Sequence, residues 1–396
     1  MRRQNEKERS VLRMGKLLRF MIVCCVSGLF FVYLPQQAEA ASFRYLAELK
    51  GEPSQVKEQL KPWRITKTFS LDGRHYAVLT GSGSIRKLKK NPVIISAQHD
   101  LKTSGAAAFK APRYSQQISW GVKNSQSHRL ASKPCACKIA IVDSGIAEHE
   151  DLKGRVISRV SFINGEKRGM APDTGKLQHG THIAGIIGAN FNTFGSVGMV
   201  PEAKLLAVKV LDENDEGYAS DQAAGIAWAA NNGADIINVS LSDESGRNEI
   251  TEQVLKSAYN KGVVIIAASG NKGKRVEYPA SSPYTISVGA VDQTNRIASF
   301  SSFGSSLDLL APGVDIRSTV FKSSYKNLSG TSQAAPHAAG GAAKLLPLYH
   351  GPKNGARVEW VRKRLKDYGD LRRVTVNGRA YKVPVLNVYK SYYGIK

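Results

Sequence analysis

Gly330-Thr331-Ser332-Gln333-Ala334-Ala335-Pro336-His337 is the stretch whose reading decides the fold. The run 334–346 behind it is rich in Ala and Leu and reads as a buried helix. The segment 325–330 before it is polar and reads as a loop. Ser332 therefore falls at or near a helix N-terminus, where unpaired N–H groups and the helix dipole favour negative charge. A hydroxyl there is either a cap or a nucleophile, and taken alone the cap is the ordinary reading.

Two further stretches change that balance. Ile139-Ala140-Ile141-Val142-Asp143-Ser144-Gly145 is an apolar run ending in a carboxylate and a turn, the pattern of a parallel strand buried on both faces. In such sheets ligands sit at the strands' carboxyl ends. His179-Gly180-Thr181-His182-Ile183-Ala184-Gly185 opens another helix of small residues. Its two histidines could ligate zinc, but no matching third ligand accompanies them. Asp, His and Ser thus come in that chain order, each at an element end. A serine hydroxyl attacks only when an imidazole takes its proton, and the imidazole needs a carboxylate to fix its tautomer and stabilise its charge.

The DSG, HGTHIAG and GTSQAAPH stretches resemble the three motifs of subtilisin-type serine proteases. The resemblance covers about 115–392 and implies that Asp143 orients, His179 is general base and acid, and Ser332 attacks. It implies that Asn271, at the end of the apolar run 263–268, joins the Ser332 N–H in holding the oxyanion. It implies an extended substrate strand clamped between Asp215-Glu216-Gly217 and Ser240-Leu241-Ser242, with Gly270 close by. Ser242 stands where the family usually has Gly. Gln333 and Ala338 stand for a usual Met and Val.

The resemblance also implies calcium. Asn190, Asn192, Phe194 and Ser196 match the family's binding loop, and Gln116 and Asp151 match its two further side-chain ligands. On this reading the Gln116 side chain is placed only after the chain is cut near 114/115.

Around this core the chain divides. Residues 1–40 read as a signal peptide: a basic stretch from Arg2 to Arg19, the apolar run 20–34, and Ala38-Glu39-Ala40. The apolar run is too short for a comfortable span, so no stable membrane insertion is expected. Residues 41–114 carry strand-like runs at 44–49, 66–79 and 93–95 with a short helix at 53–60, a small α+β unit. The resemblance makes that unit a propeptide, an intramolecular inhibitor and folding chaperone, with Tyr114 before the cut and residues 115–396 as the peptidase domain. From 138 to about 350, strand-like runs at 138–142, 205–211, 236–241, 263–268 and 285–291 alternate with helix-like runs at 181–189, 220–231 and 250–260. That alternation gives an α/β fold, a mostly parallel sheet covered on both faces. The family's three-layer fold agrees.

Charge and cysteines bound the rest. The formal net charge is +24. By counting, residues 1–114 hold 21 Lys+Arg against 8 Asp+Glu, leaving 35 against 24 beyond them. No basic strip with interleaved aromatics occurs, so nucleic acid is not expected as a partner. Anionic wall polymers stay open. Asp212, Glu213, Asp215 and Glu216 are either an acidic cleft edge or an exposed turn. Cys135 and Cys137, two residues apart, would close a tight ring, which favours free thiols or intermolecular pairing. The expected protein is a secreted, monomeric serine endopeptidase acting on polypeptides. Two alternatives stand beside it. A silent peptide-binding paralogue is disfavoured because all four catalytic positions are present, and a narrow processing protease has only the acidic edge in its favour.

Overall fold

The computed structural model describes residues 43–104, 115–130, 135–243, 246–321, 324–376 and 379–396. The expected signal segment, Tyr114 and most of the stretch leading to it lie outside the described residues. Nine strands form the main sheet in the spatial order Asp370–Val376, Arg379–Val385, Leu309–Pro312, Ile286–Val291, Val264–Ala268, Ile236–Val239, Lys138–Asp143, Lys204–Lys209, Val156–Ser161. Every neighbouring pair is parallel except the terminal hairpin. The central strands are buried on both faces because helices cover both, and they are apolar apart from Asn238 and Ser287. His179–Gly188 and Thr331–Leu345 pack in one core, and Ala219–Asn231 and Glu249–Asn260 in the other. The expected three-layer α/β fold is thereby present.

The segment 325–330 corrects the loop expectation. Ser324–Leu328 is a strand, paired antiparallel with Ile316–Val320. Its polar side chains follow from its half-exposed position at the surface. The cysteines correct the free-thiol expectation. Cys135 and Cys137 form a disulfide at a Cα separation of 5.3 Å. That separation lies inside the range a disulfide spans.

Ahead of this sheet, Arg64–Leu71, Arg74–Gly81, Phe43–Leu49 and Ile94–His99 form an antiparallel sheet in that order. Its hairpin turns on Asp72 and Gly73, both with positive φ, the two-residue geometry that matches strand twist. One face encloses a small core of Tyr45, Leu60, Trp63, Leu79 and Leu88. The other contributes Leu46, Phe69, Tyr76 and Val78 to the core shared with Ala219–Asn231 and Glu249–Asn260. Side chains of this unit also meet the first N–H groups of those helices. The Asp100 carboxylate accepts from Ser220 N at 2.8 Å, and Gln98 Oε1 from Glu249 N at 3.2 Å. Lys67 pairs with the buried Asp221 at 2.6 Å. Beyond Asp100, the strand Lys102–Ser104 runs antiparallel between Glu216–Tyr218 and Ser242–Asp243.

Candidate active site

Asp143 ends the Lys138–Asp143 strand and is fully buried. Its Oδ1 accepts from Ser144 N at 2.8 Å, and Ser144 Oγ accepts from Gly180 N at 2.9 Å. One short turn thus ties the strand end to the first turn of the His179–Gly188 helix. Glycine is required twice there. A Cβ on Gly180 would collide with the Gly145 carbonyl, and Gly145, at φ 105°, would bring a Cβ within 2.6 Å of Pro172 O.

His179 begins that helix, with Nδ1 at 2.8 and 2.9 Å from the two Asp143 oxygens. A carboxylate only accepts, so Nδ1 carries the proton and Nε2 is the acceptor in the neutral ring. Nε2 has no hydrogen-bond partner among the described residues. Burial pulls the imidazole pKa down, but the charges of Asp143, Asp215 and Asp173 outweigh it and hold the pKa above the ordinary value. His182, one turn on, is different. Its Nε2 reaches the carbonyls of Ile316 and Lys326, both at 3.0 Å, pinning the helix to the Ile316–Leu328 hairpin. Burial drives its pKa to about 3.

Ser332 is the second residue of the Thr331–Leu345 helix. Its Oγ donates to Ser240 O at 3.1 Å rather than to His179. Asn271 Oδ1 accepts from Thr331 N (2.8 Å) and Thr331 Oγ1 (3.0 Å), which leaves its amide NH₂ as the free end. A small cleft lined by Ser240, Leu241, Ser242, Gly270, Asn271 and Ser332 lies at this end of the sheet. The expected site residues of the three motifs therefore gather at carboxyl ends of strands and at helix starts. Asp143 and His179 are in direct contact. Ser332 shares its cleft with Asn271, and no hydrogen bond links it to the imidazole.

Three residues here were not singled out by the sequence. Asp173 Oδ2 accepts from Thr181 N (2.9 Å) and Oγ1 (2.6 Å) and so caps the helix that bears His179. Lys209 is fully buried, its Nζ donating to Ser144 O and Thr174 Oγ1, both at 2.9 Å. Asn238 Nδ2 donates to Ser240 Oγ at 2.9 Å. None carries a motif, and loop acids and strand-end lysines are ordinarily solvated. The acidic edge divides: Asp212 Oδ1 accepts from Asn214 N and Glu216 N, a turn contact, whereas Asp215 is buried.

The expected calcium ligands also converge. Asn190 O, Asn192 Oδ1 and Phe194 O lie 3.0, 2.8 and 3.3 Å from Gln116 Nε2. A half-turn of the Gln116 amide puts its oxygen in place of that nitrogen. Asp151 Oδ1 accepts from Asn192 Nδ2 at 2.6 Å, while its Oδ2 accepts from Ser196 N and Tyr325 OH. No cluster of three His, Cys, Asp or Glu suited to a metal occurs among the described residues. A carbonyl-and-amide set with one carboxylate is not such a cluster, yet it suits a hard cation. Gln116 already sits in the loop with the chain uncut, which corrects the expectation that cutting places it.

Comparison with known proteins agrees with this fold. Residues 136–377 match the Subtilase family model. A thermostable alkaline protease of Halalkalibacterium halodurans is 35% identical over 348 residues, covering 85% of this chain and 90% of that protein. Subtilisin Savinase of Lederbergia lenta is 42% identical over 233 residues, 58% of this chain and 84% of that one. An alkaline protease of Shouchella clausii is 40% identical over 261 residues, 65% and 64% respectively. With its motif residues gathered on a subtilisin-like three-layer sheet, the chain belongs to the subtilase family and is a serine endopeptidase.

Proposed function

We propose that Ser332, His179 and Asp143 form the catalytic triad of a secreted endopeptidase made as a self-processed precursor. The observation that carries this reading is the imidazole of His179, clamped at Nδ1 by Asp143 and free at Nε2. In the reaction, Ser332 Oγ leaves its contact with Ser240 O, gives its proton to Nε2 and bonds the substrate carbonyl carbon. The amide NH₂ of Asn271 and the Ser332 N–H hold the resulting oxyanion. His179 then passes the proton to the leaving amine, and the acyl-enzyme is opened by water through the same proton path in reverse.

Segment 41–114 is read as the propeptide. Its strand Lys102–Ser104 takes the place a substrate strand would take, hydrogen-bonded between the two edges at 216–218 and 242–243. Domain boundaries near 40 and 114 follow from this reading. The apolar run and Ala38-Glu39-Ala40 support export, and no helix among the described residues is long and apolar enough to cross a membrane. Calcium would be held by Gln116, Asp151, Asn192 and the carbonyls of Asn190, Phe194 and Ser196, joining three separate segments. A fluorophosphonate probe tests the triad. It should label the wild type at Ser332 and leave Ser332→Ala unlabelled, with that variant accumulating as uncut precursor. An unlabelled wild type would mean a silent peptide-binding protein.

A further inference from the structure

Asp215 stands apart from the acids beside it. Its φ is 61°, a left-handed conformation that few residues other than Gly adopt. Its carboxylate is turned inward, and the residue is 4% exposed. Oδ2 accepts from Leu177 N at 3.0 Å. Oδ1 has no hydrogen-bond partner among the described residues, and a Cβ on Gly175 would collide with it. Leu177 lies two residues before His179, so Asp215 holds the turn that delivers the imidazole.

Lys176, Asp212, Glu213 and Glu216 lie on the loops that meet at Asp215, and Glu166 is 3.7 Å from Lys209 Nζ. Asp143, Asp173 and Asp215 act on His179, and His182 lies one turn further along the same helix. Burial pushes the Asp215 carboxyl above the ordinary carboxylate range, and the Leu177 N–H, His179 and the ammonium of Lys209 pull against that rise. A dry carboxylate oxygen without a hydrogen bond is costly unless a cation offsets it. The imidazolium that forms on His179 in each half of the reaction is such a cation.

We propose that Asp215 is a positioning residue for His179: it braces the 175–178 turn and adds to Asp143 and Asp173 a further buried anion that favours the imidazolium. The inference rests on the reading of His179 as the general base. It acts through the field and not by contact, since Asp143 already occupies Nδ1. The sign follows. Without the Asp215 charge the imidazolium is less stable, so the neutral base persists to lower pH.

The pH dependence of kcat/KM on a chromogenic peptide tests it, with enzyme produced from the full-length chain. Asp215→Asn keeps an oxygen for Leu177 N–H and removes only the charge. Asp215→Gly relieves the backbone and removes both, and it serves if the Asn variant does not fold. Both should move the acid limb down by about half a pH unit, with a plateau lower by roughly threefold. An acid limb that stays at the wild-type pH in Asp215→Asn overturns the proposal, as does a shift seen in Asp215→Gly alone, which would mark a brace without an electrostatic part. Fluorophosphonate labelling of the wild type is run alongside. Failure to label sinks the assignment of the triad itself, and labelling with an unmoved limb sinks only the role of Asp215.

Discussion

Ser240 and Ser332 exchange hydrogen bonds in both directions: Ser332 Oγ donates to Ser240 O at 3.1 Å, and Ser240 Oγ donates to Ser332 O at 3.0 Å. The second bond has its cause four residues on. Pro336 lies inside the Thr331–Leu345 helix and has no N–H for the carbonyl of Ser332. Ser240 supplies the missing donor from the end of a neighbouring sheet strand. The helix start that carries the nucleophile is therefore fixed to the sheet where an unbroken helix would have needed no such tie.

Ser240→Ala should leave a buried carbonyl unpaired and cost about 1–3 kcal/mol of stability. Pro336→Ala restores a helical N–H, so in that background the Ser240→Ala cost should shrink. Unfolding of the four members of this cycle, all built on Ser332→Ala to prevent self-digestion, measures the coupling. Equal costs in both backgrounds would show that Pro336 does not create the need for Ser240.

Asn271 is oriented by its own oxygen. With Oδ1 held by Thr331, the NH₂ end is the part left for the cleft. Asn271→Leu should lower kcat by about 10²–10³-fold with little change in KM, the loss measured in subtilisin itself when one oxyanion donor is removed. Steady-state kinetics on one peptide checks this. A KM effect with unchanged kcat would place Asn271 in ground-state binding instead.

The chemistry of this chain was legible where one residue type at one element end carries it. The Asp143 strand, the His179 helix and the Ser332 helix start announce themselves in apolar runs that stop at a polar residue. The strand Val156–Ser161 did not, because it is a half-exposed edge with Arg159 in its middle. Asp215 reads as a turn acid, and only the backbone path shows that it points inward. The Ser240–Ser332 exchange joins residues 92 apart, and no local pattern encodes it. The pairing of Cys135 with Cys137 depends on a local backbone path that brings their Cα atoms to 5.3 Å, which spacing alone leaves undetermined.

Two buried histidines should make the fold acid-sensitive. Burial lowers His182 to about 3 and His337 to about 4, from an ordinary 6.5. The folded state thus binds fewer protons than the unfolded one between these values. Stability is full above 6.5 and falls as pH drops toward the folded-state pKa values, by about 2 kcal/mol per histidine on reaching pH 5. His179, shifted upward, works in the opposite sense, its contribution fading as pH rises above 6.5. Urea unfolding of Ser332→Ala between pH 8 and 5 measures the balance. His182→Ala should be less stable at pH 8 but lose less on acidification, and a parallel profile would refute the assignment.

Calcium should stabilise without entering the chemistry. Gln116 is on the segment paired with the 190–196 loop, Asp151 follows the Asp143 turn, and the loop itself trails the His179 helix. An ion among these oxygens joins three stretches of chain that separate on unfolding. Binding to the folded state alone contributes RT ln(1 + [L]/Kd), roughly 4 kcal/mol at a thousandfold excess over Kd. Because Gln116 is in place in the uncut chain, the Ser332→Ala precursor should already respond. Its Tm is expected to rise by several degrees from EDTA to millimolar calcium, with the response lost in Asp151→Ala and Asn192→Ala. Active wild type should inactivate more slowly at high temperature with calcium, while initial rates at moderate temperature stay equal in the two buffers. Identical Tm values for the precursor in EDTA and in calcium would remove the ion from the protein.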